Sequence, residues 1–153
     1  MITYQPEKLA MILDEMKPLY EAHFAEIEPA GTFMLKPNIA GYINIEQAGY
    51  LHMITMRDTC RLVGYIIMLI QQHPYAAGLI AYTDKLFIEK ASRKGYAATY
   101  LIKAAEDYCR TIKVYAMQIT TKTDPNYDFG KLLVRKGFEA IERTHQKILR
   151  EAN

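Results

Sequence analysis

The chain has 153 residues, half of them hydrophobic and about a quarter charged, enough for one domain over 1–153 with a core of its own. Nineteen basic and 17 acidic residues leave a formal net charge of +2, so nothing favours broad nucleic-acid binding and any basic site is local. No apolar run is long enough to span a bilayer, no signal region opens the chain, and Cys60 and Cys109 lack metal-ligand spacing; a reduced cytoplasmic protein without metal or membrane contact is expected.

Residues 6–27 carry Leu9, Ile12, Leu13, Met16, Leu19, Tyr20, Phe24 and Ile27 at helical spacing. They predict a helix that starts near Pro6 and is kinked or split at Pro18. The Pro- and Gly-containing stretch 28–38 reads as a loop, and a short helix is expected around Ile39–Gln47. "YLHMITMRD" and "RLVGYIIMLIQQ" then predict two strands joined at Asp58–Cys60 as a hairpin. After the turn "HPYAAG", the nearly continuous apolar run "LIAYTDKLFIE" predicts a central strand. Helix Tyr96–Thr111 follows, with Leu101, Ile102, Ala105, Tyr108 and Cys109 on one side, and then a strand "KVYAMQITT". A short helix Tyr127–Arg135 stops at Gly137, and "FEAIERTHQKIL" is expected to end the chain as one or two strands. A hairpin followed by alternating strands and helices implies an α/β (α+β) fold, a mixed sheet covered by helices.

The stretch with most chemical content is "LFIEKASRKGYAATYLIKAAEDYC", Leu86–Cys109: strand, basic turn, one glycine, helix. It has neither the Lys–Ser/Thr pair of a P-loop nor the three glycines of a dinucleotide turn. Two readings remain. One is an ordinary strand–helix turn with solvated Arg93 and Lys94. The other is an anion site, where small residues at Gly95, Ala97 and Ala98 let a phosphate reach backbone N–H groups at the positive end of a helix.

The wider pattern resembles the GNAT acyltransferases, which move an acetyl group from acetyl-coenzyme A to an amine. Their motif Arg/Gln-x-x-Gly-x-Gly/Ala falls on Ser92–Ala97, with Gly95 and Ala97 matching and Ser92 replacing the usual Arg or Gln. A second motif, Asn-x-x-Ala…Tyr-x-x-x-Gly-Phe, falls on residues 126–138. Asn126, Gly137 and Phe138 match, while Phe129 and Leu133 replace the alanine and the tyrosine. "EAHFAEI", "LVGYIIMLIQQHPY", "TDKLFIEKASRKG" and "DFGKLLVRKGF" together look like a group of these proteins common in bacteriophage and prophage genomes. In that group His23, His73 and Asp84 stand at recurrent positions.

The resemblance implies a mixed, mostly antiparallel sheet of about six or seven strands, and acetyl-CoA as co-substrate. The main chain at Leu86, Phe87 and Ile88 would pair with pantetheine. The N–H groups of Arg93, Lys94, Gly95, Tyr96, Ala97 and Ala98 would hold the pyrophosphate, and Asn126 with Phe129–Leu133 would flank the thiol. Transfer needs a proton acceptor; Asp84 is favoured, His73 and His23 compete, and Glu26 is weaker. Each also has a structural reading, Asp84 as a turn cap and the histidines as hydrogen-bonded scaffold. Leu133 cannot supply the acid that the family tyrosine gives, so Tyr127, a water or unassisted departure of the thiolate is left. The acceptor, an unidentified amine, would be selected by residues 23–50 and 73–78. Dimerisation is common in the family. A second reading, favoured by Ser92 and Leu133, is a non-catalytic phage accessory or virion-associated protein that binds coenzyme A or a protein partner.

Overall fold

The computed structural model describes residues 1–28, 33–122 and 128–149. Five strands form one sheet in the order β1-β2-β3-β4-β5: β1 Ile2–Pro6, β2 Leu51–Asp58, β3 Arg61–Gln72, β4 Leu79–Ile88 and β5 Val114–Ile119. Every pairing is antiparallel except that of β4 with β5, which is parallel and bridged by a helix as a parallel crossover requires. The helices are α1 Leu13–Ile27, α2 Ile39–Gln47, α3 Ala97–Thr111 and α4 Phe129–Arg135.

β3 and β4 lie inside the sheet and are covered on both faces, which is why their sequences are apolar without clean alternation. One core joins Ile54, Met56, Ile66, Met68 and Ala81 to Leu101, Ala105 and Cys109 of α3. The opposite core joins Met53, Tyr65, Ile67 and Phe87 to Met16 and Leu19 of α1, with Tyr42 and Ile43 of α2 packed against it. The sheet therefore separates an α3 side from an α1–α2 side. No helix among the described residues is long and apolar enough to cross a membrane.

The class expected from the sequence is the class observed, with three corrections. The chain begins as a strand, not a helix: β1 is an edge strand that pairs only with β2, where a terminal proline costs no ladder bond. A 3-10 turn, Leu9–Met11, then precedes α1, and two of its amides donate to the buried Glu46 carboxylate of α2. Second, α1 runs through Pro18 without ending. A proline inside a helix costs about 3 kcal/mol. Burial of Met16 and Leu19, at about 1.5–3 kcal/mol each, is enough to offset it. Third, among the described residues the sheet has five strands and not six or seven, because residues 138–149 form no strand. Ile141, Ile148 and Leu149 there are exposed, so no face of the segment is buried to fix a register.

Candidate active site

β4 is held on both edges for only half its length. It pairs with β5 from Leu79↔Val114 to Thr83↔Ile119. Past Thr83 it keeps β3 on one side, through Lys85↔Ile67, Leu86↔Ile66, Phe87↔Tyr65 and Ile88↔Gly64. On the other side no strand pairs with it among the described residues. Leu86, Phe87 and Ile88 thus lie on an open stretch of strand edge, where backbone groups are available to an extended ligand. Gly64 permits this end of β3 to lie close to β4, since an added Cβ would come 2.9 Å from the Phe87 carbonyl oxygen.

The same departure point carries an irregularity. The β3–β4 register shifts between Ile67 and Met68, which oppose Lys85 and Thr83, so Asp84 is the extra residue of a β-bulge. In a regular strand Asp84 and Lys85 would point to opposite faces. Here Lys85 opposes Ile67 of the α1–α2 core, while Asp84 reaches Tyr42 of α2, so both side chains lie on the α1–α2 side. The Tyr42 hydroxyl donates to Asp84 Oδ2 at 2.5 Å. Lys85 Nζ lies 3.3 Å from Asp84 Oδ1 and 3.2 Å from the Asp84 carbonyl oxygen. The Asp84 side chain is 23% exposed, within reach of solvent but walled by protein. Burial, and then the bond to Asp84, push the Tyr42 phenol well above its ordinary range, so at neutral pH it remains an O–H donor.

Beside this pair lies a stack of rings. His23 is buried against Phe87, with ring centroids 4.7 Å apart, and its Nδ1 shares a 2.9 Å hydrogen bond with the Tyr65 hydroxyl. Burial lowers the His23 pKa to about 4, helped by the positive charge of Lys85, so the imidazole is neutral at pH 7. His73 is placed apart, in the β3–β4 turn. Its Nδ1 accepts from the Tyr75 amide at 3.1 Å and its own amide donates to the Gly78 carbonyl oxygen. Five residues of β4, roughly 16 Å of strand, separate that end of the hairpin from Asp84.

Beyond Ile88 a 3-10 turn, Lys90–Ser92, leads to Gly95, which has φ 57°, and into α3. Tyr96, the α3 N-cap, makes no side-chain cap bond, and the first turn of the helix holds no acidic residue. The Ala97 amide donates to the Lys94 carbonyl oxygen at 3.2 Å, and no acidic side chain among the described residues caps the positive dipole end. One expectation for this turn changes. The Arg93 guanidinium donates to both Glu26 oxygens at 2.6 and 2.7 Å and to the Ile88 carbonyl oxygen at 2.7 Å, and it lies over the Phe87 ring. It ties the turn to α1 and holds Glu26 below the usual carboxylate range. Of Arg93 and Lys94, the two basic residues expected to face a phosphate, Lys94 is the one not tied to α1. It lines a groove of about 580 Å³ with Ser92, Tyr96 and Tyr100 that none of Asp84, Tyr42 or His23 borders.

Phe129 opens α4 after its N-cap Asp128, and Leu133 is the buried residue of that helix. An aliphatic side chain thus occupies the place expected for an acid. Asn126 and Tyr127 lie outside the described residues. Thr83, the last residue of β4 paired with β5, has a buried hydroxyl without a hydrogen-bond partner among the described residues. Sequence reasoning missed Tyr42, Tyr65 and Lys85. Helix Ile39–Gln47 was legible, but no local signal tells which of its residues would meet a carboxylate 42 positions later.

A search of curated proteins gives no match. Among solved structures, the fold resembles a ribosomal-protein-alanine N-acetyltransferase from Brucella melitensis biovar Abortus 2308, with 16% identity, a TM-score of 0.71 and coverage of 97% of this chain and 98% of that one. It also resembles the aminoglycoside acetyltransferase meta-AAC0020 from an uncultured soil metagenomic sample, in complex with sisomicin, at 13% identity and a TM-score of 0.74 over 97% of each chain. A third is AAC(6')-Iy in complex with the bisubstrate analog CoA-S-monomethyl-acetylneamine, at 18% identity and a TM-score of 0.70 over 98% of this chain and 99% of that one. At such identities these likenesses speak for the fold. Because the model of the acetyltransferase (GNAT) family matches residues 4–138, most of its length, the chain belongs to that family.

Proposed function

We propose that the protein is an N-acetyltransferase that moves an acetyl group from acetyl-CoA to an amine by direct attack, with Asp84 as the proton acceptor. The observation that carries this reading is the bulge at Asp84, which puts a half-buried carboxylate at the point where the β4 edge becomes open.

Three features fit the co-substrate. The open edge at Leu86–Ile88 can hydrogen-bond an extended amide-bearing arm, the start of α3 without a side-chain cap suits a pyrophosphate, and the buried Thr83 hydroxyl at the head of the opening has no partner among the described residues. Gly95, Ala97, Ala98 and Lys94 would hold the phosphates, while Arg93 contributes by fixing the turn against α1. Asn126, Phe129 and Leu133 are assigned to the thiol end from the family pattern. An acceptor ammonium would approach from the α1–α2 side, give its proton to Asp84 and attack as the neutral amine. Tyr42 fixes the carboxylate, and the His23–Tyr65–Phe87 stack fixes the strand that carries it. His23 serves here as scaffold and His73 as a turn residue. With Leu133 at the place of the family tyrosine, water protonates the departing thiolate.

The proposal takes residues 1–153 as one cytoplasmic domain, which its unpaired Cys60 and Cys109 suit, with an amine acceptor in the class of the small molecules or proteins that such enzymes modify. Homodimerisation and a phage or prophage origin belong to the same reading. The buried Leu133 supports a second one, a non-catalytic GNAT-fold phage protein that binds coenzyme A or a protein. Acetyl-CoA consumption with a panel of amines separates the two. The first reading predicts turnover with at least one amine and a raised melting temperature with acetyl-CoA. A hundredfold excess over Kd contributes about 2.7 kcal/mol. A melting shift without turnover across the panel supports the coenzyme-binding form of the second, and no shift at millimolar acetyl-CoA contradicts the first and leaves only a protein-binding form of the second.

A further inference from the structure

Besides the acceptor it awaits, the site already holds an amine of its own. We infer that Lys85 is a site of self-acetylation, its Nζ taking the acetyl group from acetyl-CoA bound to the same chain. This rests on the reading of Asp84 as the proton acceptor.

The geometry comes from the bulge. Were β4 regular, Lys85 and Asp84 would stand on opposite faces and could not pair. Instead Nζ lies 3.3 Å from Asp84 Oδ1, the oxygen that Tyr42 leaves free, since the Tyr42 hydroxyl binds Oδ2. An external amine needs that same oxygen to lose its proton. The Lys85 side chain is 43% exposed, so its nitrogen is neither locked in the core nor dispersed in solvent. The backbone of Lys85 sits at the start of the open β4 edge, at the end remote from the α3 turn. An arm anchored by its phosphates at that turn and laid along Ile88, Phe87 and Leu86 carries its thioester toward Lys85. Proximity of this kind turns a bimolecular encounter into a step within one complex.

The step balances without another reactant. Nζ gives a proton to Asp84, and its lone pair attacks the thioester carbonyl carbon. The N–C bond forms, the C–S bond breaks and the sulfur leaves as a thiolate; the second nitrogen proton passes through water to that thiolate, and Asp84 releases the first to solvent. The products are N-acetyl-lysine at position 85 and free coenzyme A.

The test incubates the whole protein with acetyl-CoA and no acceptor, and maps acetyl-lysine by tryptic digestion. Acetylation of Lys85 blocks cleavage there and joins residues 62–85 to residues 86–90. Lys103 is the internal control, a 56% exposed lysine paired with Asp107 at 2.5 Å on the outside of α3. Lys85 should be acetylated about tenfold or more faster than Lys103, at a rate per molecule independent of protein concentration. In Asp84→Asn the Lys85 rate should fall by about 10² or more. The wild-type comparison stands without the variant. Equal labelling of Lys85 and Lys103, a rate that scales with protein concentration, or an unchanged rate in a folded Asp84→Asn protein overturns the inference. If an added amine is acetylated while Lys85 stays unmodified, this inference falls and the proposed function survives. If acetyl-CoA produces no melting shift, both fall.

Discussion

The His23 side chain makes a testable link between burial and pH. Its pKa is lowered from 6.5 to about 4, first by burial and then by the nearby Lys85 charge, while the unfolded chain returns it to the ordinary value. Between those two values the unfolded state binds more protons than the folded one. Stability therefore rises with pH across that window and is lost as pH falls through it. Integrating the single-site linkage from pH 7 to pH 5 gives about 2 kcal/mol lost to His23 alone, at 1.36 kcal/mol per pKa unit. The perturbation is His23→Gln, which keeps a polar atom near the Tyr65 hydroxyl and cannot titrate. Urea unfolding of both proteins at half-unit steps from pH 7 to pH 5 reads the difference in slope. Contributions from groups that do not interact with His23 are common to both and cancel. The wild-type protein should lose about 2 kcal/mol more than the variant over this range. Parallel curves would refute the buried, neutral His23 described above.

Three further outcomes are expected. Gly95 stands at φ 57° with open space around its Cα, so Gly95→Val carries a backbone cost of about 1–2 kcal/mol without a clash in the free protein. It should weaken acetyl-CoA binding by calorimetry far more than Lys94→Ala, whose smaller effect should fade with added salt. Tyr42→Phe, which removes the donor to Asp84 Oδ2, should slow transfer while leaving acetyl-CoA affinity within about twofold, since Tyr42 does not line the groove beside Lys94. Leu101→Ala in the fully buried face of α3 should cost about 2–5 kcal/mol in chemical unfolding without changing the register of the sheet.

What the sequence disclosed follows from how far each signal reaches along the chain. Helix α3 was legible because Leu101, Ile102, Ala105 and Cys109 recur at helical spacing and all four are buried. The β2–β3 hairpin was legible because Asp58–Cys60 interrupts two apolar runs. β1 was not, because its only partner is β2, some fifty residues on, and edge strands need little apolar pattern. The last segment misled in the other direction. Ile141, Ile148 and Leu149 suggest strand, but Glu139, Glu142, Arg143 and Lys147 leave it no continuous apolar face. At the site, Asp84 stood out beside an apolar strand. Its partnership with Tyr42 and Lys85 depends on a one-residue bulge, set by how β3 and β4 pair and not by the letters on either strand. The fate of Arg93 was hidden for the same reason, since its partner Glu26 lies 67 positions away.

The central claim is that the bulged, Tyr42-bound carboxylate of Asp84 takes the acceptor's proton. Single-turnover acetyl transfer by Asp84→Asn, to an amine found by the acceptor panel, tests it when acetyl-CoA affinity is measured on the same sample. The substitution keeps the side-chain shape and removes the basic oxygen. Transfer should slow by about 10²–10⁴ while affinity stays near that of the parent, because the arm pairs with backbone and the phosphates with the α3 turn. Transfer at the full rate, or a loss of affinity in step with the loss of transfer, would contradict the assignment.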